Sequence, residues 1–192
     1  PAIYYALAKN YSALNKHSLA IESAREAVQR APGNIEYRRT LAQSFLQTFE
    51  LDSAAMIYEE IIRRDSGAIE SWFRLAQMYQ MRSPQKALDA YNRIIERFGP
   101  HWEALLQIVE LHNAAGTFDK AAEAMKRMTD IDPGNLDLQQ SLARAYVRAS
   151  IPDKAAQVYE DLIERDPHNT EYVSELGGVY LMQKKYARAN EK

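Results

Sequence analysis

Residues 136–169 read LDLQQSLARAYVRASIPDKAAQVYEDLIERDPHN and contain two helix-like stretches with a tight turn before Pro152. In each stretch, apolar side chains recur three or four residues apart, which places them on one helical face. They are Leu142, Ala143 and Tyr146 in the first stretch and Ala155, Tyr159 and Leu162 in the second. The segment therefore predicts two amphipathic helices, the second of which ends before Pro167.

This pattern recurs along the whole chain at a nearly constant period. The residues that follow each second helix are Pro32, Ser66, Pro100, Pro133 and Pro167, at spacings of 34, 34, 33 and 34 residues. A constant period of this length indicates an array of stacked helical repeats. The predicted organisation is one array with units 1–34, 35–68, 69–101, 102–135 and 136–169 and a partial unit 170–192.

The two ends of the chain suggest a piece of a longer protein. The sequence starts at Pro1 without Met. Within the array, the third unit is one residue short in its inter-helix turn, which does not bear on the ends. We expect the sixth unit to turn at Lys184–Lys185 and to stop just inside its second helix. The expected fragment is therefore a slice of a longer array.

Composition excludes several classes of function. The 192 residues include 24 Lys and Arg, 26 Asp and Glu and no Cys, for a net charge of -2. This balance gives no electrostatic reason to expect nucleic acid as a partner. No apolar run approaches the roughly 20 residues that span a bilayer, so membrane insertion is not expected. The absence of Cys suits the cytoplasm and a bacterial envelope equally, and the compartment stays open.

Helix caps are predicted from the residues before each first helix. Asn34, Asn135 and Asn169 are good N-caps, since an amide oxygen can accept from a free backbone N–H. An acidic residue occupies the second place of five units, where it favours the positive end of the helix dipole. These residues are Glu36, Glu70, Glu103, Asp137 and Glu171.

The repeat resembles the tetratricopeptide repeat (TPR). That family's pattern is large apolar, Leu, small and aromatic in the first helix, then Ala, aromatic and apolar in the second, then Pro. The first unit shows it as Tyr4, Leu7, Ala8, Tyr11, Ala20, Ala27 and Pro32, and Trp72 matches in the third. The departures are Arg38 and Gln139 at the large apolar place, His112 at the aromatic place and Ser66 at the Pro.

The resemblance implies an all-α fold: a right-handed superhelical α-solenoid of antiparallel helix pairs, whose first helices line a concave groove. Enzyme signatures are absent. The four His residues lack metal-ligand spacing, and no phosphate-binding Gly-rich loop or nucleophile elbow is present. We therefore expect no catalysis, no metal and no cofactor. His112 is predicted to pack in the core, and Trp72 and Trp102 are predicted to be core residues.

A stripe of the first helices is the candidate binding surface. The second, fifth, ninth and twelfth places lie about a third of a turn from the core stripe, on the face that the resemblance assigns to the groove. Phe73 and Leu106 have no evident core role there, and amides can bond a peptide backbone. Phe73→Ala with Gln77→Ala is thus predicted to weaken binding of a partner without lowering thermal stability. The candidate residues are Arg39, Gln43, Phe73, Gln77, Leu106, Glu110, Asn113, Gln140 and Arg144.

The predicted function is a protein-interaction scaffold that binds a peptide segment or partner protein in this groove. A merely solvated inner face is the plainer interpretation. Self-assembly through the array ends, giving a homo-oligomer, is one alternative; a substrate-docking arm of an enzyme whose catalytic domain lies elsewhere is another. Some family members grip the carboxylate tail of a chaperone, but the acidic second place would repel it. The acidic row favours either a basic ligand or simple dipole capping.

Overall fold

The computed structural model describes the backbone of residues 1–190 and the side chains of residues 1–184. Within this part, the secondary structure consists of eleven α-helices and includes no strand. The helices are α1 (Ala2–Ala13), α2 (His17–Arg30), α3 (Ile35–Gln47), α4 (Leu51–Arg64), α5 (Ile69–Gln80), α6 (Pro84–Phe98), α7 (Trp102–Ala114), α8 (Phe118–Ile131), α9 (Leu136–Arg148), α10 (Pro152–Arg165) and α11 (Thr170–Asn190).

The helices pair as the repeat predicts. Connections of three or four residues join each helix to the next, and the two helices of each pair run antiparallel. The pairs α1–α2, α3–α4, α5–α6, α7–α8 and α9–α10 correspond to the five complete sequence units. The all-α fold of antiparallel helix pairs is therefore confirmed.

The chain divides into two compact units, each larger than a repeat, with the boundary inside α6. Residues 1–94 are called unit 1 below, and residues 95–192 are called unit 2. The core of unit 1 includes Leu41, Phe45, Tyr58, Ile61 and Leu75. The core of unit 2 includes Leu142, Tyr146, Tyr159, Leu162 and Tyr172. In both units the buried side chains are those of the repeat pattern, because one face of each helix packs against its neighbours.

Three predicted caps are confirmed by hydrogen bonds. The side-chain oxygen of Asn34 accepts from the backbone N–H of Tyr37 at 3.1 Å. Asn135 accepts in the same way from Leu138 at 3.1 Å. Asn169 accepts from the N–H of Glu171 at 3.1 Å, at the start of α11. Each bond satisfies a donor that the first turn of a helix leaves free.

The turn inside each pair uses a left-handed residue in four units. Asn15, Phe49 and Ser150 have φ values of 56°, 58° and 58°, and Gly116 has 71°. Only glycine adopts this region without a steric penalty, so the cost falls on the other three. Phe49 is the most unusual, because its side chain is 83% exposed and gains little packing in return. The short third unit has no such residue in its turn, 81–83.

The structure corrects the prediction for the sixth unit. Helix α11 continues without a break from Thr170 to Asn190, so Lys184–Lys185 does not form a turn. Gly177 and Gly178 lie inside this helix, and a Cβ atom at either position would meet no other atom within 4 Å. The last two residues of the sixth unit, 191–192, lie outside the described residues.

The two tryptophans differ in burial. Trp72 is half-buried and packs against the core of unit 1, as predicted. Trp102 is the first residue of α7 and is 44% exposed, so its prediction as a core residue is wrong. The first position of a helix has fewer neighbours than the central turns, and the large apolar character of Trp102 does not reveal this.

The departures from the repeat pattern are accommodated in different ways. Arg38 is buried, and its Nη2 atom lies 3.1 Å from Glu60 Oε1. Gln139 is half-buried. His112 is also half-buried; its Nδ1 lies 2.9 Å from Thr117 Oγ1, and burial lowers its pKa. His112 is thus only partly buried, and the prediction that it packs in the core is met in part.

Candidate functional site

The candidate stripe of unit 1 lies on helices α3 and α5. Gln43 and Gln77 are exposed, and Arg39 is half-buried. Arg39 Nη1 lies 3.6 Å from Glu70 Oε2 on α5 and 3.8 Å from Glu36 Oε2 on its own helix. One guanidinium therefore connects the first helices of two successive repeats.

Three adjoining cavities follow this stripe, and all three are lined by Gln43. Their volumes are about 200, 300 and 280 Å³. The first lies between α3 and α5 over Tyr58, the second lies between α1 and α3, and the third shares Tyr58 and Arg74 with the first. Thr40, Tyr58, Ser71 and Arg74 also line the first cavity, although they are absent from the predicted set.

Two buried polar atoms at the first cavity have no hydrogen-bond partner among the described residues. They are the Ser71 hydroxyl oxygen and Arg39 Nε. Ser71 is 1% exposed, so its hydroxyl lies beneath the surface of the cavity. A buried polar group without a partner lowers the stability of the fold. Burial raises the pKa of Tyr58, which keeps this phenol protonated.

Phe73 does not present a freely exposed ring. It is half-buried, and its ring centroid lies 6.2 Å from that of Tyr91 at an interplanar angle of 57°. Tyr91 is fully buried in α6, and its hydroxyl donates to Gln80 Oε1 at 3.3 Å. Tilted aromatic pairs at this distance are stabilising. Part of the Phe73 side chain therefore contributes to the core of unit 1.

The candidate stripe of unit 2 is built around Arg144 on α9. Its Nη2 atom lies 2.7 Å from Glu171 Oε1 and 3.0 Å from Glu175 Oε1, both on α11. Tyr159 is buried in this unit, and burial, followed by the charge of Glu175, raises its pKa to about 12. Arg144 thus connects α9 to α11 and is already engaged by two carboxylates.

The other members of the stripe in unit 2 vary in exposure. Leu106 is 36% exposed, and Glu110 is exposed. Asn113 is half-buried and accepts from Arg148 Nη1 at 3.4 Å. Gln140 is half-buried, and its Nε2 atom has no partner within residues 1–184. Leu106 therefore matches the exposed apolar position that the sequence predicts.

Two acidic residues at the second place of the repeat, Glu70 and Glu171, form ion pairs in addition to any effect on the helix dipole. Glu70 faces Arg39 of the preceding first helix, and Glu171 faces Arg144 in the same way. The second place of these repeats thus forms ion pairs between successive first helices. The sequence signal was available, since an Arg lies 31 and 27 residues before these acids, but only the packing of the helices shows that they meet.

None of the helices in the described residues is both long and apolar enough to cross a bilayer. Among the same residues, no group of three or more His, Cys, Asp or Glu side chains could hold a metal ion.

Comparison with solved structures relates the fold to known helical repeat proteins. A crystal structure of the MamA protein matches with a TM-score of 0.62 and 22% identity over 89% of this chain and 94% of that chain. A tetratricopeptide repeat protein from Parabacteroides merdae matches with a TM-score of 0.64 and 18% identity over 99% and 76%. YrrB, described as a TPR protein with an unusual peptide-binding site, matches with a TM-score of 0.56 and 18% identity over 90% and 89%.

Comparison at the level of sequence identifies the family. No match was found among curated proteins. The model of the tetratricopeptide repeat family matches residues 5–69, 70–135 and 141–191, which is nearly the whole chain. Proteins of this family generally act as scaffolds for protein interactions rather than as catalysts. The chain, with its paired helices and five copies of the repeat pattern, belongs to the tetratricopeptide repeat family.

Proposed function

We propose that this protein is a non-catalytic interaction scaffold that binds a peptide segment of a partner protein on the face of its first helices. The observation that carries the proposal is the row of three cavities along α1, α3 and α5 of unit 1, all lined by Gln43. Adjoining cavities of this kind suit an extended ligand better than a compact one.

The chemistry of the lining favours a peptide. An extended backbone presents N–H and C=O groups in alternation, and the Gln43 amide can both donate and accept. Arg39 and Arg74 also line the first cavity, and their guanidinium groups can donate to a peptide carbonyl. Because helices hold these groups in place before the ligand arrives, binding requires little ordering of the receptor.

The test is an affinity capture from the source lysate with a mass-spectrometric readout. It compares the native chain with the double variant Gln43→Ala/Gln77→Ala, in which both side chains are exposed and helical folding is preserved. The matched control is Gln29→Ala/Gln157→Ala, which makes the same change on second helices. We expect a protein that the native chain and the control capture and the first variant loses. Equal capture by all three proteins would refute binding at this face.

Self-assembly is a second proposal, and one feature of α11 favours it. Val173 and Leu181 on this helix are 54% and 63% exposed. Exposed apolar side chains of this size are common at contacts between proteins. If a second copy covers them, light scattering should show a mass that rises with protein concentration. Val173→Glu/Leu181→Glu should abolish that rise, and a constant monomeric mass of the native chain would exclude self-assembly.

A further inference from the structure

A second depression in unit 1 lies on the side of the second helices. Helices α4 and α6 form its walls and α5 forms its floor, and its volume is about 350 Å³. Pockets that bind small ligands or single large side chains begin at roughly this size. We call it the α4–α6 groove, and its lining residues are Glu59, Ile62, Arg63, Trp72, Leu75, Tyr79, Lys86, Asp89, Ala90 and Arg93.

The aromatic floor of the α4–α6 groove is held in place by hydrogen bonds. Trp72 Nε1 donates to the backbone oxygen of Ser66 at 3.4 Å. The Tyr79 hydroxyl donates to Glu59 Oε1 at 2.6 Å, and burial, together with this bond, raises the pKa of Tyr79 to about 12. Both rings are half-buried, so each presents part of its surface. The floor is therefore a preorganised apolar platform.

The rim of the α4–α6 groove contains three cationic side chains. Arg63, Lys86 and Arg93 are exposed, and none forms an ion pair with a residue that the structure describes. Lys86 Nζ lies 5.6 Å from the centre of the Tyr79 ring. Glu59 accepts from Tyr79, and Asp89 accepts from Gln85 at 3.1 Å, so both carboxylates are held by neutral donors and keep their charge. The rim therefore carries three cations and two carboxylates around the apolar floor.

Unit 2 has the equivalent depression between α8 and α10, and it provides a comparison. Its volume is about 320 Å³, and Leu142 and Tyr146 take the places of Leu75 and Tyr79. In the repeat alignment, Gln139 stands in place of Trp72. The aromatic platform is thus reduced to a single ring.

The two depressions place their charges differently, although Lys154 in unit 2 keeps the place of Lys86. Asp130 stands where unit 1 has Arg63, and Asp161 stands where it has Arg93. Lys126 in unit 2 has its charge balanced, because its Nζ lies 2.9 Å from Asp130 Oδ1. The repeat pattern alone thus does not require cations at these places. Their presence in unit 1 is a property of the α4–α6 groove itself.

From the apolar floor and the unpaired cations, we propose that the α4–α6 groove binds an acidic segment of a second protein. A large apolar side chain of that segment lies over Trp72 and Tyr79, and flanking carboxylates pair with Arg63, Lys86 and Arg93. Charge-assisted hydrogen bonds to carboxylates are stronger than neutral ones, which gives the site its preference. This site is separate from the first-helix face of the proposed function, and either can exist without the other.

A single-stranded nucleic acid fits the groove less well. Single-stranded nucleic acids are bound through aromatic side chains on which successive bases stack along a basic track, whereas only two aromatic rings of the described residues line this groove. The aliphatic side chains of Ile62, Leu75 and Ala90 also line it, and they match an apolar side chain better than a base.

The test uses the fluorescence of Trp72. In a Trp102→Phe background, Trp72 is the only indole in the chain. The probe is a synthetic peptide with a central phenylalanine flanked by glutamates; a second peptide has glutamines in place of the glutamates. We expect the acidic peptide to shift the Trp72 emission and the neutral peptide to bind about tenfold more weakly. The affinity for the acidic peptide should fall as salt rises.

Charge reversal locates the binding. Lys86→Glu/Arg93→Glu should weaken the acidic peptide by about tenfold or more. The matched control Lys120→Glu/Lys154→Glu makes the same charge change at exposed positions of unit 2 and should leave the affinity unchanged. Circular dichroism verifies that each variant stays helical.

Three results would overturn the proposal: no binding of the acidic peptide, equal weakening by both charge-reversal variants, or tighter binding of a deoxythymidine oligonucleotide than of the peptide. Gln43→Ala/Gln77→Ala should not affect this peptide, so failure here and failure of the first-helix proposal remain distinct.

Discussion

Arg38 provides the sharpest test of how the core of unit 1 is held together. It occupies the large apolar place of its repeat, and its side chain is only 3% exposed. Nη2 lies 3.1 Å from Glu60 Oε1, but Nε and Nη1 have no partner among the described residues. We predict that Arg38→Met stabilises the protein, since methionine retains the apolar stem and removes the buried charge.

The magnitude follows from opposing contributions. Each buried donor without a partner costs about 1–3 kcal/mol. The pair with Glu60 offsets part of this, but Glu60 is 31% exposed and the attraction is partly screened. The net gain for Arg38→Met should be about 1–3 kcal/mol. The reciprocal variant, Glu60→Gln, leaves Arg38 buried without its counter-charge and should destabilise by about 1–3 kcal/mol.

Urea unfolding followed by circular dichroism measures both variants. Because repeat arrays can unfold in stages, the slope of the transition must match that of the native chain before free energies are compared. Opposite shifts of the two midpoints would support the reasoning. If Arg38→Met lowers the free energy of unfolding by more than about 1 kcal/mol, the ion pair outweighs the unsatisfied donors and the reasoning is refuted.

Three further predictions concern unit 1 and one turn of unit 2. Phe73→Ala should destabilise by about 1–3 kcal/mol, less than a fully buried phenylalanine, because part of its ring packs against Tyr91; an unchanged urea midpoint would return Phe73 to the exposed stripe. Phe49→Gly should raise the melting temperature by relieving about 1 kcal/mol of left-handed strain, whereas Gly116→Phe should lower it. Burial alone would raise the pKa of Glu60, but the hydrogen bonds and charges of Arg38 and Arg64 together outweigh it, and the pKa is lowered. Its stabilising contribution is complete above the ordinary value of 4.5 and is lost as pH falls through the lowered value, so a pH series should show a smaller acid loss for Arg38→Met.

The candidate site was only partly predictable. The stripe correctly identified Gln43, Gln77 and Leu106 as exposed. It could not identify Tyr58, because this side chain comes from a second helix and reaches the cavity only through packing. It also treated Arg144 as available, although two carboxylates of α11 engage it. The angle around one helix is a local property, whereas cavity lining depends on which helices are neighbours.

The amino-acid sequence alone was enough to infer the family, the repeat period, the helix pairs and the Asn caps. These features depend on side-chain spacing along one helix and on hydrogen bonds within a few residues, so that they can be read without the fold. Tertiary structure decided the burial of Phe73 and Trp102, the ion pairs of Arg39 and Arg144, and the α4–α6 groove. Each of these features depends on contacts between different helices. The helical period contains no information about how far one helix is displaced along its neighbour, so it cannot predict them.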